Sequence, residues 1–271
     1  MQNLNLNILG SGKTNVDLEE VYDVALPQKT DTYTPVGHKL VIEEVKNHLT
    51  QNGFDIVGEN HHLARFGQRY FGLMQVQDQS APEDPDRATV VGLRNSYDKS
   101  FPAGLMAGDA PFVCSNLIFS NEIVLARRHT KNIDNVNVAG NIFMKIAQAV
   151  GMLREKWQNQ VERVESYKAY DLGDIEANDL ILRGFDAGAC SKTKIADVFR
   201  QWQTPNHPEF QDRNLYSLYN AFSEVGKTNL NDLPKRSTAL HSVFDAVAAK
   251  AAEIIDVEAV EVEIEGLVGV S

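Results

Sequence analysis

The chain has 271 residues with 43% hydrophobic and 23% charged positions and a formal charge of −11, the balance of a globular protein long enough to bury a sizeable core. It contains no run of about 18 apolar residues, which excludes a membrane-spanning helix, and the acidic total disfavours coating DNA by charge alone, because phosphate binding rests on Lys and Arg. Its two cysteines, Cys114 and Cys190, lie far apart without metal-site spacing, so reduced thiols are expected rather than a disulfide scaffold or structural zinc.

Residues 1–33 are polar and weakly periodic and predict a flexible or docking arm. They open on "MQNLNLNILGSGKTN", which lacks a charged stretch leading into an apolar one, so no secretory signal is expected. "GSGKTN" at 10–15 looks like the end of a phosphate-binding loop, but the upstream glycine and the strand–loop–helix context are missing. "TPVGHKLVIEEVKNHLTQNG" follows. Thr34 as cap, Pro35 at the first helical position and Gly53 as stop predict a helix, with Val36, Leu40, Val41, Val45 and Leu49 as its apolar stripe.

"FDIVGENHHLARFGQRYFGLMQVQ" predicts two strands around a turn at Gly67-Gln68. His61 and His62 are adjacent on one strand, so they point to opposite faces and cannot share a metal ion; no metal and no cofactor are expected. The acidic loop 80–86 precedes a third strand, "RATVVGLRNS", and after a Gly/Ala-rich stretch "PFVCSNLIF" and "EIVLARRHT" read as two shorter ones. Cys114, within the first of these, reads as a small buried hydrophobe.

From about residue 134 the period changes. Ile142, Ile146, Val150, Leu153, Trp157, Val161 and Val164 recur at steps of three and four, which predicts one long amphipathic helix. Helices are expected at 174–184, 191–202, 212–225 and 236–255, broken by the Pro-rich 204–210. The end, "VEAVEVEIEGLV", alternates strictly and predicts a final strand with one acidic face. Segment 253–265 holds six carboxylates and no base, leaving −5 for the remainder. The fold class is therefore α+β: an N-terminal helix and an antiparallel strand meander (54–130), a helical C-terminal half (134–250), and an acidic tail over 251–271, with 34–250 forming one domain.

Two polar clusters stand out. The run "GLRNSYDKSF" gathers Arg94, Asn95, Ser96, Asp98 and Lys99, whose donors suit a phosphate or other anion. An ordinary turn, with Asn-Ser as cap and Asp98 paired to Arg94 or Lys99, explains the same residues. "ARRHTKN" places Arg127, Arg128, His129 and Lys131 near the end of a strand, where Arg127 and His129 face one way and Arg128 the other; a charged, protected sheet edge is the plainer reading. No catalytic constellation emerges, and a non-enzymatic role is expected.

"TVVGLRNSYDKSFPAGLMAGDAPFVCSNLIFSNE" with "RRHT" after it, then "NLYSLYNAFSEVGK" and "RSTALHSVFDA", resembles the phage- and plasmid-borne family catalogued as domain of unknown function 932. The similarity covers about 34–250. It implies a mobile-element origin and a bacterial cytoplasm, and it groups Arg94, Asn95, Asp98, Lys99, Asn116 and His129 as the polar part of one motif. Together these readings give the expected function: binding of single-stranded nucleic acid, in recombination or annealing, by a homo-oligomer. Arg94, Lys99, Arg127 and Arg128 would hold phosphates, and Tyr97 or Phe101 would stack on a base. The alternative is an interaction protein that binds a host defence or replication protein through its acidic tail, without nucleic acid.

Overall fold

The computed structural model describes residues 14–31, 33–81, 87–111, 118–119, 123–126, 138–226, 232 and 235–250. The final strand read at the acidic tail lies outside them. Strands and helices segregate along the chain, so the class is α+β, with a helical C-terminal half.

The strands are β1 (Thr14–Val16), β2 (Phe54–Ala64), β3 (Arg69–Asp78), β4 (Arg87–Ser96), β5 (Ala103–Pro111), β6 (Ile118–Phe119) and β7 (Ile123–Ala126). All pair antiparallel in the order β1-β2-β3-β4-β5-β6, and β7 also pairs with β5. β2, β3 and β4 match the three strands expected between 54 and 96. β5 was read only as a Gly/Ala-rich stretch. It is a strand because its small residues fit large cross-strand neighbours: Gly104 faces Arg94, and Met106 faces Gly92. The segment read as an arm also takes part. β1 adds to the edge of β2, and α1 (Leu18–Tyr22) buries Val21.

α2 (His38–Gln51) begins at Gly37 rather than Thr34. Residues 34–37 stay outside the helix, and the Val36 carbonyl is taken by the Asn95 side chain at 2.8 Å. The buried face of α2 is His38, Val41, Ile42, Val45 and Leu49. It packs on the sheet face that carries Tyr70, Met74, Val91, Leu93, Leu105 and Ala107, joined by Ile146, Ala149 and Val150 of α3 (Val138–Gly151). The opposite face of the sheet is closed too: Phe71, Leu73, Val90 and Met106 are buried.

The long helix expected after 134 is two, α3 and α4 (Leu153–Lys168), divided at Met152 next to Gly151, a residue with poor helix propensity. In α4 the buried line runs through Leu153, Gln160 and Val164, while Val161 is half exposed. α5 (Asp174–Ala187), α6 (Ile195–Gln203), α7 (Leu215–Gly226) and α8 (residues 235–250) follow in the described residues. Two compact units result, 1–160 with 226–237 and 161–225 with 238–271. In the second unit Gly184 of α5 lies against the Phe222 ring, where a Cβ would stand 2.6 Å from Cζ. No helix of the described residues is long and apolar enough to cross a membrane.

Candidate functional site

The β2–β3 and β4–β5 connections emerge at the same end of the sheet and are bonded to each other. The first, residues 65–68, has three successive left-handed residues: Arg65 (φ 55°), Phe66 (φ 57°) and Gly67 (φ 81°). A two-residue hairpin turn of the primed type needs positive φ at both central positions, which Asn-Gly supplies cheaply. Here the Gln68 amide donates to the Arg65 carbonyl, so the central pair is Phe66-Gly67, and Arg65 is a further left-handed residue before it. Arg65 and Phe66 each cost about 1–2 kcal/mol in that conformation. Gly67 is required, because a Cβ there would lie 2.9 Å from Val24 Cγ1. The Phe66 ring packs on nothing, with 104% of its reference area exposed.

The second connection holds Tyr97, Asp98 and Lys99, and Lys99 is again left-handed (φ 62°). The Tyr97 amide donates to the Gln68 carbonyl at 2.7 Å, and Arg69 Nε donates to Asp98 Oδ2 at 2.6 Å. Burial pushes the Asp98 carboxyl up, but hydrogen bonds from Ser100 and Arg69 outweigh it and hold the group below its ordinary range. Lys99 is exposed, its ammonium 4.4 Å from the centroid of the Tyr33 ring. Arg65 is exposed beside Phe66. The end of the sheet thus offers one bare aromatic ring and two solvated cations.

Both loops are fixed from below by His38, which is 0% exposed. Its Nε2 donates to the Gly67 carbonyl at 3.0 Å. That leaves Nδ1 to accept from Asn95 Nδ2, also at 3.0 Å. The imidazole stacks on Tyr97 at 3.9 Å with 6° between planes, and the Tyr97 hydroxyl accepts from the His38 amide. Tyr33 donates to the Tyr97 carbonyl at 2.9 Å. Burial lowers the imidazole pKa to about 4 despite the Gly67 bond, so His38 is neutral near pH 7.

The motif residues therefore have roles that differ from the sequence reading. Asn95 and Ser96 are buried and hold the backbone: Asn95 binds Val36 and His38, and Ser96 Oγ donates to the Phe101 carbonyl at 2.6 Å. Arg94 is 7% exposed, with its guanidinium 5.1 Å from the Phe101 centroid, and presents no surface to a phosphate backbone. Asp98 pairs with Arg69, not with Arg94 or Lys99. Tyr97 and Phe101, the expected stacking faces, are each 7% exposed and cannot receive a base. Lys99 keeps a solvated charge. Asn116, Arg127, Arg128, His129 and Lys131 lie outside the described residues, as does Cys114. Arg65 and Phe66 went unnoticed because the sequence shows a glycine in the turn but not the backbone angles of its neighbours.

Two other polar clusters contain titratable groups. Glu59 Oε2 lies 2.5 Å from Lys46 Nζ and 3.4 Å from His61 Nε2, and His61 Nδ1 lies 3.0 Å from the Tyr70 hydroxyl. His61, with burial opposing and Lys46 assisting, takes the Glu59 pKa down to about 2. This carboxylate–imidazole–phenol line has the order of a proton relay. Its phenol is wholly buried, however, so no substrate atom can reach it. In the second unit Arg163 and Tyr167 both bind Asp245, and His241 lies 3.3 Å from the hydroxyls of Tyr167 and Tyr219; it too is buried. Among the described residues no three His, Cys, Asp or Glu gather as a metal site. Lys13 of "GSGKTN" is followed by β1 rather than by a helix.

No family model, no curated protein and no solved structure matches this chain.

Proposed function

We propose that this protein binds single-stranded nucleic acid at the hairpin end of its sheet, with Phe66 stacking on a base and Arg65 and Lys99 meeting the flanking phosphates. The observation that carries the reading is Arg-Phe held at two left-handed positions with the ring wholly in solvent. The fold gains no packing from the exposed Phe66 ring, a glycine at 66 would adopt the same backbone without strain, and strained residues cluster at functional sites. Base–aromatic stacking contributes about 1–3 kcal/mol per base and tolerates any sequence. One ring and two cations bind weakly, so a homo-oligomer that aligns several tips on one strand is part of the proposal. The motif resemblance supports a phage or plasmid setting in a bacterial cytoplasm, with recombination or annealing as the role.

The test is fluorescence anisotropy of labelled oligothymidine at low salt with wild type and Phe66→Ala. The reading expects wild-type binding and a loss of about 5- to 150-fold in the variant. Absence of binding by wild type would overturn it in favour of a protein partner.

A further inference from the structure

The shape of the tip narrows the ligand further, on the premise that it contacts nucleic acid at all. Proteins that follow a strand without sequence preference offer successive aromatic faces along a groove, one for each base. This end of the sheet does not: Tyr33, Tyr70, Tyr97 and Phe101 are all buried, and Phe66 is its one exposed ring among the described residues. That ring stands clear of the protein at the apex of a tight turn. A lone projecting apolar side chain flanked by cations is the form of a wedge that enters a base step and unstacks it.

A wedge must also resist being pushed back. Residues on both sides of Phe66 are anchored: the Arg65 carbonyl accepts from the Gln68 amide at 3.2 Å, the Gly67 carbonyl from buried His38, and the Gln68 carbonyl from Tyr97. The Arg69–Asp98 pair braces the base of the turn. Such a mount fixes the backbone that carries the ring before binding, which removes part of the ordering cost.

We infer that the preferred ligand is DNA whose stacking is already interrupted: the junction between duplex and single strand, where Phe66 caps the last base pair and Arg65 and Lys99 take phosphates of the departing strand. Entering an intact duplex would require unstacking a step, and a free single strand offers no fixed stack to cap.

Anisotropy titrations at low salt with a single strand, a blunt duplex and an overhang duplex of equal length distinguish the possibilities, using wild type, Phe66→Ala and Phe66→Trp. The expected result is junction binding about tenfold tighter than binding of the single strand, because the preference amounts to one stacking contact. Phe66→Ala should erase that preference and Phe66→Trp should keep it. Equal affinity for junction and single strand overturns the junction inference while leaving the single-strand reading in place. So does a preference that survives Phe66→Ala. No binding of any form by wild type overturns both.

Discussion

Replacing Phe66 by glycine should stabilise the protein and disable it at the same time. The ring is fully exposed, so its removal costs no buried apolar area. The residue sits at φ 57°, and relief of that conformation returns about 1–2 kcal/mol. Glycine gives back about 0.5–1 kcal/mol through its greater freedom in the unfolded chain. The net is a gain of up to about 1.5 kcal/mol, or a rise of up to about 3–6 °C in melting temperature for a unit of this size. Scanning calorimetry measures that change, and anisotropy with an oligonucleotide measures the loss of stacking. Phe66→Ala separates the two effects: it keeps the strain and loses the ring, so binding should fall while stability stays put. A Phe66→Gly protein destabilised by more than about 1 kcal/mol would show that the turn depends on the ring, and the strain argument would be refuted. A stabilised variant that binds like wild type would remove Phe66 from the site.

Three further outcomes follow from the geometry. Gly72→Ala would place a Cβ 2.0 Å from the Tyr70 hydroxyl, so it should cost about 1–3 kcal/mol by urea unfolding, and adding Tyr70→Phe should recover part of that. His38 titrates near 4 in the folded chain, against an ordinary 6.5. The unfolded state therefore binds more protons between those values, and stability must fall by about 3 kcal/mol as pH drops from 6.5 to 4; His38→Gln should flatten that slope in denaturant titrations, at a constant cost from the altered Gly67 contact. Asp98→Asn removes the partner of Arg69; for a pair this close to solvent the stability cost should stay within about 1 kcal/mol, while oligonucleotide affinity should rise because a negative charge leaves the tip.

The sheet was legible where β-branched and aromatic residues flank turn signals, as in β2, β3 and β4. It was illegible at β5, where Gly104 and Gly108 supply no branched side chain and the strand depends on large residues across the ladder. The start of α2 misled for a tertiary reason: Asn95 captures the Val36 carbonyl from a strand 59 residues away, and no local capping rule anticipates that. The run 92–101 was correctly singled out as unusual, yet its polarity serves the inside. Asn95, Ser96 and Tyr97 lock two loops and a helix start together, and Asp98 neutralises Arg69. The exposed tip was hidden because backbone angles at Arg65 and Phe66 follow from the pairing of Ala64 with Arg69, not from their own identities.

If Arg65 and Lys99 take phosphates beside Phe66, the salt dependence of binding must report both contacts. Each phosphate contact with a single strand contributes about −0.7 to the slope of log K against log salt. The difference between wild type and Arg65→Ala/Lys99→Ala should therefore be about 1.4 in slope, with similar losses for every sequence, because phosphates carry no base information. A double variant whose slope equals that of wild type would contradict the claim and place the charge contacts elsewhere on the chain.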